Sequence, residues 1–298
     1  MKKFMKGAAI TGGVLFLIGL ILVMIGVIGG GVKDMHQKSV EGLSELCDLS
    51  RLTEIVEKLD GIEIMDGVTI SFGGNSFNDE VFEDGQEKYT DGTYTFEDVA
   101  ASNLEIVVGA GSLKVKYHDE TSVKLEIGSD DRMQCFVKDD TLKITGGMTD
   151  SVSSHSDMTV YLPEGTTYKD VLVDVGAGNL VADALLGEDI VVDVGMGNVV
   201  INGMVVRNLD VSVGMGNVEI EGAVNGDAII DCGMGQVIMD LAGSGKDFDY
   251  ELDCGIGSLD VEGICSIAGI GDQSVDNGAS KEIEVSVGMG SVEVKFGK

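Results

Sequence analysis

The chain has no tryptophan, one proline, three histidines and five cysteines in 298 residues, and aromatic residues make up only 5% of it. Each scarcity removes a class of reading. His36, His118 and His155 lie far apart and without metal-ligand spacing, so no metal site is expected. Cys47, Cys135, Cys232, Cys254 and Cys265 are too few, and odd in number, for a disulfide framework. Basic residues are also short: 20 Lys and Arg against 51 Asp and Glu leave a net charge of −31, which argues against nucleic acid as a partner. No Gly-Lys-Ser/Thr phosphate loop occurs, and the serines lack a nucleophile-elbow context. No catalytic residue, cofactor or metal is implied, and the chain reads as a non-enzyme. Only chemistry carried by carboxylates alone stays open.

Glycine is abundant, with 44 residues, and much of it is periodic. Gly-x-Gly recurs at Gly176 and Gly178, Gly195 and Gly197, Gly214 and Gly216, and Gly233 and Gly235, each pair nineteen residues after the last. Looser copies follow at Gly255 and Gly257 and at Gly288 and Gly290, and an early one sits at Gly109 and Gly111. A dinucleotide fingerprint would need a third glycine and a following helix, and neither accompanies Gly176 and Gly178. A motif used this often is architecture.

Within one unit, residues 190–203, apolar residues alternate with period two before the glycines and again after them, shifted by one position. That pattern predicts two strands joined by a corner, with glycine supplying the backbone freedom. Stacking the units in register predicts an all-β, parallel β-solenoid (β-helix) of nineteen-residue turns. About ten units are expected, giving a rod of roughly 45 to 50 Å. The slot between the glycines holds Ala110, Ala177, Met196, Met215, Met234, Ile256 and Met289, is always apolar, and is expected to face inward. Core filling is therefore preferred there over soft-metal binding. The slot after the second glycine is polar, from Ser112 through Asn198 and Asn217 to Ser291, and predicts side-chain bonding along the stack. Asp174, Asp193, Asp231 and Asp253, two positions before the first glycine, predict an exposed acidic ladder. Cys232 and Cys254 replace the valine just before the corner, and adjacent turns would bring their sulfurs close.

Residues 7–32 carry no charged side chain and would reach about 39 Å as a helix, beyond the ~30 Å hydrocarbon core. They predict an uncleaved transmembrane anchor in the lipid bilayer. Lys2, Lys3 and Lys6 precede it, which places the N-terminus in the cytoplasm and the bulk of the chain outside the cell membrane. Gly12, Gly19, Gly26 and Gly30 give this helix a smooth face through which a homo-oligomer is conceivable. Residues 33–60 contain leucines at helical spacing and predict a short amphipathic helix. Residues 61–98 are strongly acidic and predict a linker, and residues 99–298 the repeat domain. The insertion at residues 263–279 is expected as a loop, and Lys295 and Lys298 as guards on an open final strand.

The stretch "NLEIVVGAGSLKV" and the "VDVGMGNV" units resemble the bacterial β-strand-repeat family of "putative adhesins". The resemblance covers about residues 100–298 and implies an envelope β-solenoid with roles in adhesion or envelope-stress signalling. It carries over no catalytic residue. The leading reading is a membrane-anchored, extracytoplasmic, adhesin-like display or interaction module with a protein or glycan partner. The alternatives are an envelope-stress sensor acting through a membrane partner and a carbohydrate-active β-helix enzyme.

Overall fold

The computed structural model describes residues 62–65, 68–70, 81–148 and 157–297. The chain divides into two compact units, 1–75 and 76–298. In the first, β1 (Ile62–Met65) and β2 (Val68–Ile70) form an antiparallel hairpin. Among its described residues the second is all-β apart from one short 3-10 turn at Gly245–Asp247, and nineteen strands join in one continuous sheet.

Its body is built from strand pairs that flank the glycine corners. Before a corner come β4 (Asn103–Val108), β9 (Tyr168–Val175), β11 (Leu185–Val194), the end of β12 (Asn198–Val213), β14 (Ala228–Cys232), β16 (Asp249–Cys254) and β20 (Glu282–Val287). After a corner come β5 (Ser112–His118), β10 (Asn179–Ala182), the start of β12, β13 (Asn217–Val224), β15 (Gln236–Leu241), β17 (Ser258–Val261) and β21 (Ser291–Phe296). Like strands pair in parallel. Val175 pairs with Val194, Val194 with Val213 and Val213 with Cys232, nineteen residues at each step. Leu180, Val199, Val218 and Val237 do the same on the second ladder. This is a solenoid-like coil. β12 serves two turns, its start pairing with β10 and β13 and its end with β11 and β14.

The pattern works because period-two alternation gives each strand one apolar face, and parallel register lays Val173, Val192, Val211 and Ile230 over one another. All four are fully buried. Each such side chain contributes roughly 1.5–3 kcal/mol by leaving water, and β-branched residues suit the pleat. No single unit could bury its own face, so the turns stabilise each other.

The ends depart from sequence order. β20 inserts between β14 and β16, and β21 between β15 and β17. The last strand in sequence is therefore interior: Lys295 lies opposite Asp240 and pairs with Glu293 at 3.0 Å, and it guards no open edge. The insertion expected as a loop is instead the cap. β18 (Cys265–Ala268) and β19 (Gly271–Val275) lie antiparallel on β17 and β16. At the other end β4 and β5 insert before β7 (Thr141–Met148) and β8 (Met158–Pro163), and β6 (Val123–Lys138) closes that end antiparallel to both. β3 (Tyr89–Phe96) covers β6 in turn, with a bulge between Thr90 and Gly92. Residues 123–127, which alternate apolar and polar as the repeat strands do, thus belong to a cap. Covering both ends hides backbone groups that would otherwise template aggregation. Eight parallel layers, with β19 and β18 antiparallel at one end and β6 and then β3 antiparallel at the other, span about 48 Å.

Two further expectations change. Part of the stretch 61–98 is built into the sheet: β3 packs Tyr89 against Tyr94 and Phe96, at ring distances of 4.7 and 5.3 Å, and Phe82 is buried. Cys232 and Cys254 are not neighbours. Val287 pairs with each and stands between them, and both are free thiols. Two layer spacings, about 9.6 Å, exceed what a disulfide bridges. The expected anchor at residues 7–32 and amphipathic helix at residues 33–60 lie outside the described residues; among those residues no helix is long and apolar enough to cross a membrane.

Candidate interaction surfaces

The corner is the element that repeats most strictly, and its geometry decides which side chains reach the surface. Val194 is inward, Gly195 and Met196 both point out, Gly197 is buried, and Val199 is inward again. Two successive outward residues absorb the one-position shift that the sequence showed. Glycine is required here for close approach and not for unusual torsions, because neither Gly197 nor Gly216 has a left-handed φ. A Cβ on Gly197 would stand 2.4 Å from the Gly178 carbonyl oxygen, and one on Gly216 2.3 Å from that of Gly197. Only glycine lets a buried backbone lie this close to the next turn. Of the twelve corner glycines anticipated, Gly178, Gly197, Gly216, Gly235, Gly257 and Gly290 face the tightest contacts, all under 3.0 Å. The first-position set, Gly176, Gly195, Gly214, Gly233, Gly255 and Gly288, meets the preceding layer's carbonyl at 2.6–3.1 Å.

The slot between the glycines is outward, which overturns its assignment to the core. Met196 is 53% exposed, Met215 45% and Ile256 67%. Backbone bonds fix the stacking: Met196 N–H donates to Gly176 O, Met215 to Gly195, Met234 to Gly214 and Met289 to Gly233, all at 2.7–2.8 Å. Ile256 N–H then donates to Gly288 O. The result is an apolar ridge down one corner. A further corner, Gly269-Ile270-Gly271, lies over this end through Gly269 N–H to Gly257 O, with Ile270 85% exposed. Sequence reasoning missed it because its strands run antiparallel and off the nineteen-residue period, although the Gly-Ile-Gly signal is present. The polar slot does stack in register, Asn179 through Asn198 and Asn217 to Gln236. Its backbone bonds the stack: Asn198, Asn217, Gln236 and Ser291 each donate N–H to the glycine carbonyl of the layer before at 3.0 Å.

The outward face of the first ladder is a field of carboxylates. Along one row lie Asp174, Asp193, Ser212, Asp231, Ser286 and Asp253. Of the four anticipated aspartates only Asp174 and Asp193 are in adjacent layers; serines flank Asp231 and separate it from Asp253. The parallel row at the strand starts runs Asp170, Asp189, Asn208, with Asp227, Glu282 and Asp249 beyond. Between the rows stand Asp210, Glu284 and Glu251. Asn208 donates to Asp189 Oδ1 at 2.6 Å, one of the inter-turn amide contacts that repeat spacing did not reveal. Partial burial pushes the carboxyl groups of Asp174, Asp193, Asp210 and Asp231 above their ordinary range. Like charge adds to this: Glu105 beside Asp174, Asp174 and Asp210 beside Asp193, and Asp210 beside Asp231.

Among the described residues no three His, Cys, Asp or Glu side chains are grouped to hold a metal ion. His118 is used structurally, with Nε2 2.7 Å from Ser122 O. An open hollow of about 490 Å³ near the β3–β4 turn is lined by Phe96, Val99, Cys135, Phe136, Val137 and Leu142. Burial pushes the Cys135 thiol up to about 12, which removes it as a nucleophile.

A coiled, end-capped stack with regular outward rows and no deep cleft among its described pockets defines a repetitive all-β protein of solenoid-like build. The chain belongs to the Toastrack DUF4097 family, whose profile matches residues 98–296. Among solved structures it is similar to a putative cell adhesion protein from Clostridium sporogenes, at 16% identity and a TM-score of 0.40, over 71% of this chain and 100% of that one. It is also similar to a putative adhesin from Bacteroides fragilis, at 12% identity and 0.28, over 70% and 97%. A putative lipid binding protein from Parabacteroides distasonis matches at 12% and 0.33, over 72% and 98%. No curated protein matches the chain.

Proposed function

We propose that this protein is a non-enzymatic interaction module displayed outside the cell membrane, tethered by residues 7–32 with its N-terminus in the cytoplasm. The observation that supports it most is the acidic face, where carboxylates of several layers stand in register rows on a parallel ladder, interrupted by Ser212, Ser286 and Asn208. A ligand with donors at a similar repeat would engage several layers at once, and linked contacts gain avidity without any one being strong. Carboxylates only accept hydrogen bonds, so the face selects partners rich in hydroxyl, amide or ammonium donors. A glycan or a basic protein surface on the envelope meets that description.

The test is binding of the full chain to glycan arrays and to envelope extracts, run beside a polysaccharide-cleavage screen. Retention that weakens with salt, and falls at least about tenfold in D189N/D193N/D210N, is the expected result. Polysaccharide turnover would overturn the reading in favour of an enzyme. Co-purification with a membrane kinase or transporter, without surface binding, would overturn it in favour of a sensor.

A further inference from the structure

The corner geometry does not by itself call for methionine along the ridge. Ala177 and Ile256 fill the same slot at its two ends, so the corner tolerates small and branched side chains alike. In sequence Met196, Met215 and Met234 are followed by Ile256, and Met289 comes last. In space the order is different. The insertion of β20 and β21 moves Met289 beside Met234 and sends Ile256 to the end. The swap therefore makes four methionines contiguous, one per layer. Met196 and Met215 are exposed and Met234 and Met289 half-buried; solvent-accessible thioethers in consecutive layers are an aggregation liability on a surface in water, and leucine would offer the same bulk without sulfur.

We infer that Met196, Met215, Met234 and Met289 form a binding ridge for a soft monovalent cation of the copper(I) or silver(I) class. Thioether sulfur selects such ions over the hard cations that carboxylates take. Neighbouring parallel layers are 4.7–4.9 Å apart, and an ion held between two sulfurs at roughly 2.3 Å each, the scale of metal–sulfur bonds, spans about 4.6 Å. The match suits two-coordinate geometry, which these ions accept. Methionine's three rotatable side-chain bonds let each sulfur adjust. The four residues provide three such gaps, so a bound ion can pass from one to the next along the corner. Asp193 and Asp231 lie two residues before the glycines of the same corners, and the chain's net charge of −31 raises the local concentration of any cation.

The test uses the full chain with Cys47 and Cys265 replaced by alanine, so that no thiol beyond the buried Cys135, Cys232 and Cys254 competes. Silver nitrate, which binds as copper(I) does without redox chemistry, is titrated while the methionine methyl groups are followed by carbon-13 NMR. The methyl signals of Met196, Met215, Met234 and Met289 should shift together and saturate, and those of the other ten methionines should not. M215L/M234L should weaken binding at least about tenfold while the far-ultraviolet circular dichroism stays unchanged, since leucine keeps the volume. Excess calcium should not compete. Unmoved ridge methyls, equal affinity in the double variant, shifts spread over other methionines, or displacement by calcium would each overturn the inference.

Discussion

Replacing Gly216 by alanine isolates the physical reason for the nineteen-residue motif. The added Cβ would stand 2.3 Å from Gly197 O and 2.6 Å from Val194 Cγ1. Non-bonded heavy atoms rest near 3.5 Å, so the two layers must part locally by about 1.2 Å. The bonds that hold them there run from Asn217 N–H to Gly197 O at 3.0 Å and from Met215 N–H to Gly195 O at 2.8 Å. Stretched by that amount both exceed about 3.5 Å and are lost. Two backbone bonds broken with their partners left short cost roughly 1–3 kcal/mol each, against about 0.4–1 kcal/mol gained by restricting the unfolded chain. The expected net loss is about 1–5.6 kcal/mol, read as a shift in the denaturant midpoint of the full chain. Gly165→Ala is the control. Gly165 has φ +74° and no atom within 4 Å of an added Cβ, so only the left-handed strain of roughly 1–2 kcal/mol applies. If Gly216→Ala costs less than Gly165→Ala, or less than about 1 kcal/mol, the close-approach argument is wrong.

The carboxyls of Asp174, Asp193, Asp210 and Asp231 are raised in the folded protein, chiefly by burial and then by like charge. The native state therefore binds more protons than the unfolded chain between those raised values and the ordinary aspartate range near 3.9. Stability should rise, not fall, as pH drops from 7 toward about 5; Asp193→Asn should stabilise at neutral pH and flatten that rise, and an unchanged slope would refute the assignment. Glu126, lowered by its bonds to Lys124 and Tyr161, opposes the trend and loses its contribution at lower pH. In thiol labelling of the native chain, half-exposed Cys265 should react well before buried Cys135, Cys232 and Cys254, and peptide mapping after mild oxidation should give no 232–254 crosslink.

The spacing of Gly-x-Gly and the period-two apolar runs were enough to read an all-β stack of parallel turns, because register between identical units is local information repeated. The inward positions within strands followed from the same alternation: Val192, Val194, Val199 and Ile201 are all buried as their spacing requires. Of the acidic rows the sequence suggested one, Asp174, Asp193, Asp231 and Asp253; the row through Asp170 and Asp189, and the serine layer that separates Asp231 from Asp253 in space, came only from register.

Alternation stops being a guide at the corner itself, where Gly195 and Met196 both face out, so the direction of the methionine slot could not be taken from periodicity. Layer order at the two ends was likewise closed to the sequence. A unit matches any like unit equally well by its own alternation, and only the long-range seating of β18 and β19 on β17 and β16, and of β6 on β7 and β8, fixes which turn lies next to which. The repeat thus determined what one layer is. The tertiary structure decided the order of the end layers, and with it the run of methionines, the separation of Cys232 from Cys254 and the burial of the C-terminal strand, since these depend on contacts between residues far apart in the chain.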